Sequence, residues 1–210
     1  MIFRGKVSIR GLNSGKIIEK LIDKVAKEKG VVQLKDLSIP LFIPSIDTKT
    51  GSIIIFTSSA FRGAQSFSDQ EILIEDAPLA KAVHASCSFP GIFSPVNFQN
   101  YTLLDGGIRE NTPWKILKQM GADEIVNIVF KNHLSEHCCD NIVDLVHTSI
   151  EILCHELSTY ELLGATNIIL INTPNISLLD CSKINYLYKI GYQQATKLIQ
   201  KEKIFKASFM

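Results

Sequence analysis

Two short apolar runs, Glu124–Phe130 and Asn167–Asn172, alternate with two long helical patterns, Asn141–Leu162 and Asp180–Lys201. The first run is apolar on both faces, as in a strand covered on both sides. Buried strands alternating with amphipathic helices leave few architectures open, and they predict an α/β fold with a mixed or parallel sheet. The upstream part agrees. Residues 14–29 form an amphipathic helix with Ile17, Leu21 and Val25 at i+4 spacing. Asn13 or Ser14 can cap it, and Gly30 closes it. Leu37–Ser45 and Ser52–Ser58 are β-branched strands joined by a loop that ends at Gly51. Residues 60–73 are polar and irregular and read as a surface loop. A helix starts at Asp76, with Pro78 in its first turn and Leu79, Ala82, Val83 and Ser86 on one face, and stops at Pro90-Gly91. Tyr101–Leu104 reads as a strand, and Pro113–Met120 as a short helix ended by Gly121.

Composition narrows the function classes. A chain of 210 residues with 46% hydrophobic and 20% charged residues is globular and can bury about 70% of its unfolded surface. Its net charge of +1 provides no basic face for nucleic acid. No apolar run reaches membrane-spanning length, and the first residues lack the apolar core of a signal peptide. Five Cys without paired spacing point to reduced thiols and a cytoplasmic location. His133, His137, Cys138, Cys139, Cys154 and His155 form one cluster to weigh as a metal site. No C-x2-C precedes the His-x3-His, so these residues read as helix filler, and no metal or cofactor is expected.

The chemistry concentrates in Ala85–Trp114. There an apolar strand runs into Asp105-Gly106-Gly107. Asp-Gly between apolar runs is a common type I′ hairpin turn, and two glycines after an acid also suit a backbone bent to present the Asp105 carboxylate. The glycines of Gly11–Gly15 carry neither a P-loop nor a nucleophile elbow. Arg10 stands where a P-loop needs Gly, and Ile17 where it needs Ser or Thr. Asn13 stands where an elbow needs Ser.

The wider pattern is A-S-x-S-x-P-G-I-F-x-P-V over Ala85–Val96, followed by D-G-G-x-x-x-N-x-P over Asp105–Pro113. It resembles the C-terminal catalytic segment of patatin-like phospholipases. G-L-x-S-G before the first helix, the I-x-x-x-D-T-x-T-G hairpin and G-A-D-x-I before Val126 belong to the same likeness. The resemblance implies a three-layer α/β sandwich with a mixed central sheet, and hydrolysis of phospholipid or other lipid acyl esters by a Ser–Asp dyad. It maps the proton-accepting Asp onto Asp105, with Gly106 and Gly107 supporting the close approach of the backbone. It also implies acyl-lipid substrates and transient contact with a membrane surface, so that a cytoplasmic chain would be peripheral at membranes.

One part of the pattern is absent. No G-x-S-x-G and no G-x-G-x-x-G occurs in these 210 residues, and in the family both lie upstream of the segment matching Arg10–Gly15. No nucleophilic Ser is therefore identified. Ser86 and Ser88 belong to a helix end rather than to a strained elbow, and His84, four residues from that end, reads as surface or packed rather than as part of a triad. Residues 1–210 are accordingly expected to be one patatin-like domain lacking its first strands. It would act with a complementing N-terminal segment, or else be an inactive partner or binding subunit. An uncovered sheet edge would favour a dimer.

Overall fold

The computed structural model describes residues 11–58, 70–131, 142–174, 176 and 181–202. The chain divides into two compact units, Met1–Gly121 and Ala122–Met210. His133, His137, Cys138 and Cys139 lie outside the described residues, as do most of the 60–73 loop and the ends of the chain.

The first unit holds a five-stranded mixed sheet. Its strands are β1 (Phe42–Asp47), β2 (Ile53–Thr57), β3 (Glu71–Ile74), β4 (Val96–Phe98) and β5 (Tyr101–Asp105), in the order β3-β2-β1-β5-β4. β3 runs parallel to β2, and the other pairings are antiparallel. Helix α1 (Lys16–Glu28) packs on α2 (Leu79–Ser86), and α2 lies on β1 and β5. A short α3 (Trp114–Gln119) follows β5.

Strand alternation sorts the core into two faces. On one face Ile43, Ile54, Phe56, Ile72, Ile74 and Leu103 meet Ala77, Ala82 and Ala85 of the α2 region. These small side chains let the helix come close. On the other, Ile46, Ile53 and Ile55 meet Ile116 and Met120 at α3. Helices therefore cover both faces, as the α/β sandwich expectation requires.

Several boundaries differ from the sequence reading. Residues 34–36 form a 3-10 turn, so β1 starts at Phe42 rather than Leu37. Residues 71–73, read as the end of an irregular loop, belong with Ile74 to an edge strand. It takes its order from pairing with Ile53–Phe56 rather than from any local signal. The hairpin turn of this region is Gln99-Asn100, between the paired residues Phe98 and Tyr101, with Gln99 at φ 49°. Asp105-Gly106 is no hairpin turn. Asp105 ends β5, and the chain enters a 3-10 turn at Gly106–Ile108.

In the second unit β6 (Asn127–Lys131) and β7 (Ile168–Asn172) pair in parallel. α4 (Ile142–Glu161) connects them, and α5 (Ile184–Glu202) follows and packs on β7. Gln194 of α5 bonds both the N–H and the C=O of Asn172, at 2.9 and 2.8 Å. The expectation that the first of these strands is covered on both faces fails. Asn127 and Val129 are buried, but Ile128 and Phe130 are 63% and 61% exposed. Among the described residues no helix is long and apolar enough to cross a membrane.

Candidate active site

Asp105 sits where β5 stops and the backbone turns. Its N–H donates to the Ser88 carbonyl at 3.0 Å, anchoring the strand end beneath the C-terminus of α2. Its carboxylate oxygen Oδ1 accepts the Gly107 N–H at 2.8 Å and caps the 3-10 turn. Gly106 is required sterically, and Gly107 is tightly packed. A Cβ on Gly106 would run into the Pro44 carbonyl group of β1, with the carbonyl carbon at 2.8 Å. A Cβ on Gly107 would meet Asp105 Oδ1 and Asn111 Oδ1, each at 3.1 Å. The turn therefore presses against β1, and the Gly107 N–H engages one carboxylate oxygen.

Burial pushes the Asp105 carboxyl above the ordinary aspartate range, and the Gly107 N–H offsets this only in part. A carboxylate held in a poorly solvated place gains proton affinity and becomes a better base. Cys87, just past α2, is pushed up as well, first by burial and then by the charge on Asp105.

Two of the other candidate side chains, Ser88 and His84, are committed elsewhere. Ser88 is buried, and its hydroxyl donates to the His84 carbonyl at 2.7 Å. Ser86 lies in the last turn of α2. His84 is packed, with Nδ1 2.7 Å from Glu19 Oε2 and Nε2 3.1 Å from the Ser14 carbonyl, so neither ring nitrogen is left for a Ser-His-Asp triad. Lys81 also donates to Glu19, at 2.9 Å. Glu19 is desolvated, yet the hydrogen bonds from Lys81 and His84 bring its carboxyl below the usual range.

This cluster explains the glycines of Gly11–Gly15. Gly15 is left-handed at φ 68°, and a Cβ there would meet His84 Nε2 at 2.5 Å. Gly11 lies against the Phe93–Ser94 backbone, and Asn13 bridges to the same stretch through its N–H to Ile92 and its C=O to Ser94. Gly15, rather than Asn13 or Ser14, is the N-cap residue. Asn13 Oδ1 instead accepts the Gly15 N–H at 2.9 Å.

Cys154 and His155 lie on α4, and among the described residues no three His, Cys, Asp or Glu side chains converge on a metal position. The sequence reading did not single out Ser45, which pairs opposite Asp105, or Cys87, whose thiol feels the Asp105 charge. Pairing registers, which place Ser45 opposite Asp105, are the signal that finds the first. A family model described as patatin-like phospholipase matches residues 1–118, the span that holds α1, the five-stranded sheet and Asp105.

Proposed function

The chain belongs to the patatin-like phospholipase family, and from that premise we propose that it supplies the base of a Ser–Asp dyad that hydrolyses lipid acyl esters. The observation that carries this reading is the placement of Asp105. Its carboxylate is oriented by the Gly107 N–H at a strand end and has a proton affinity raised by burial.

In this mechanism Asp105 takes the proton of a serine hydroxyl as the oxygen attacks the ester carbonyl. The tetrahedral oxyanion collapses, and the departing alcohol leaves with the proton from Asp105. Water, deprotonated by Asp105 in turn, then attacks the acyl-serine, and Asp105 returns that proton to the serine oxygen as the acid is released. Such proton transfer contributes about 10²–10⁴-fold to rate. These 210 residues contain no G-x-S-x-G, so the serine of this dyad would come from polypeptide outside them. Acyl-lipid substrates and a peripheral membrane contact follow from the same reading.

A nitrophenyl-ester assay tests it, on the 210-residue chain alone and joined to the polypeptide encoded upstream of Met1, each beside its Asp105→Asn variant. The expected result is turnover in the joined protein that falls by about 10²–10⁴-fold in the variant, and none for the chain alone. Equal rates in the joined pair would overturn the assignment. A second reading, a non-catalytic partner subunit, draws on the commitment of Ser88 and His84 to other bonds. It would be favoured if the upstream sequence encodes no G-x-S-x-G.

A further inference from the structure

Ser45 is fully buried, and its hydroxyl is the buried side-chain polar atom without a hydrogen-bond partner among the described residues. A polar hydrogen left unpaired in a core is costly, so such a group calls for an explanation. The sheet register supplies one. Ser45 pairs with Ile54 on one side and with Asp105 on the other. Directly opposed residues of an antiparallel pair project to the same face, with Cβ atoms about 4.5–5.5 Å apart. Core membership agrees: Ile43 on β1 and Tyr101 and Leu103 on β5 belong to the α2-facing cluster, which puts Ser45 and Asp105 on that same face.

The neighbouring acceptors each already receive at least one hydrogen bond, and Asp105 is the one that stands directly opposite Ser45. Ile54 has none in its side chain. Asp47, two residues along β1, has Oδ1 occupied by the Thr102 N–H and Oδ2 by the Thr50 N–H and hydroxyl. The His84 and Ser88 carbonyls at the end of α2 already receive the Ser88 hydroxyl and the Asp105 N–H. Asp105 spends Oδ1 on Gly107, and no second hydrogen bond to its carboxylate comes from the described residues.

We propose that Ser45 is a positioning residue for Asp105, its hydroxyl donating to the carboxylate when Asp105 is ionised. The bond fixes the carboxylate rotamer and offsets the burial that otherwise favours the protonated form. The inference rests on the reading of Asp105 as the base, and it assigns Ser45 the task of keeping that base ionised.

Of the other ionisable groups, Cys87 past α2 feels the Asp105 charge, Asp47 lies two residues along β1 from Ser45, and Arg109 and Glu110 follow the turn. Arg109 is held by the Gly51 carbonyl and Gln70. The test is an NMR titration of the aspartate side-chain carboxyl carbons in the intact chain, with Asp105→Asn to assign the signal. In Ser45→Ala the Asp105 midpoint is expected to rise by about one pH unit, tenfold in its ionisation constant, while Asp47 stays put. Ser45→Thr, which keeps the hydroxyl, is expected to hold the wild-type midpoint. An unmoved Asp105, an equal shift of Asp105 and Asp47, or a Thr variant that titrates like Ala would overturn the proposal. This readout needs no turnover, so it can fail while Asp105→Asn still abolishes hydrolysis, and the reverse.

Discussion

At the residue scale, Asp105 and Asp47 show how opposite environments divide two carboxylates on one sheet. Asp47 is buried, but hydrogen bonds from Thr102, Thr50 and Lys49 outweigh its desolvation and hold it below the usual range. Its contribution to stability is present above the unfolded-state pKa and is lost as pH falls through the folded value. Removing it by Asp47→Ala is expected to cost about 1.5–3 kcal/mol at neutral pH, the worth of hydrogen bonds to a charged group. Asp105 has the reverse sign. Its carboxyl is raised in the folded state, so its stabilising contribution is complete below the unfolded pKa and is lost as pH rises through the folded one. Asp105→Asn, which keeps the Gly107 acceptor and removes the charge, should therefore melt higher than wild type at pH 7 and equally near pH 3. Thermal unfolding at the two pH values reads the difference. A variant less stable at pH 7 would show that Asp105 serves the fold rather than a reaction.

At the element scale, the site is a strand end clamped between two neighbours. The C-terminus of α2 accepts the Asp105 N–H, and β1 receives the turn so closely that residue 106 has no room for a Cβ. Gly106→Ala must move Pro44 backbone rather than a flexible side chain, with an expected loss of about 1–3 kcal/mol. It should also displace the Gly107 amide resonance, which reports the hydrogen bond to Asp105. A Gly106→Ala protein with wild-type melting and an unchanged Gly107 amide would contradict this packing. Much of this arrangement is legible in the residues themselves. The i+4 spacing of Ile17, Leu21 and Val25 and the closing Gly30 located α1, although those three side chains are exposed and Ala26 is the buried one. The loop ending at Gly51 announced the β1–β2 hairpin, and Asp105 stood out because flanking elements agreed with it. β3 was not legible, because four residues carry no period of their own and Glu71–Ile74 is ordered by partners far away in sequence. Ser45 was hidden for a similar reason. A serine in a strand is unremarkable until a register places it opposite a half-buried acid.

At the scale of the whole molecule, the two units differ in how well they cover their apolar surface. The first buries both faces of its sheet, although Ile17, Leu21 and Val25 of α1 stay exposed. In the second, Ile128 and Phe130 on β6 are exposed, as are Leu145, Leu153 and Leu163 in and after α4 and Tyr188 and Tyr192 on α5. Phe130, Leu187, Tyr188 and Tyr192 line an open apolar groove of about 510 Å³. Apolar surface of this extent, with strands that pair only with each other among the described residues, favours association. The chain alone is expected to sediment as concentration-dependent oligomers at micromolar levels, and Phe130→Lys to shift it toward monomer. A monodisperse monomer unaffected by that substitution would mean the surface is tolerated as it stands.

The central claim is that Asp105 takes a proton in the reaction, and the pH dependence of kcat/KM for ester hydrolysis by the joined protein tests it most directly. The predicted profile rises with pH on an acid limb whose midpoint lies above the ordinary aspartate value of about 3.9, and Asp105→Asn removes that limb together with most of the rate. A limb of the same midpoint retained in Asp105→Asn would assign the proton to another group and contradict the account.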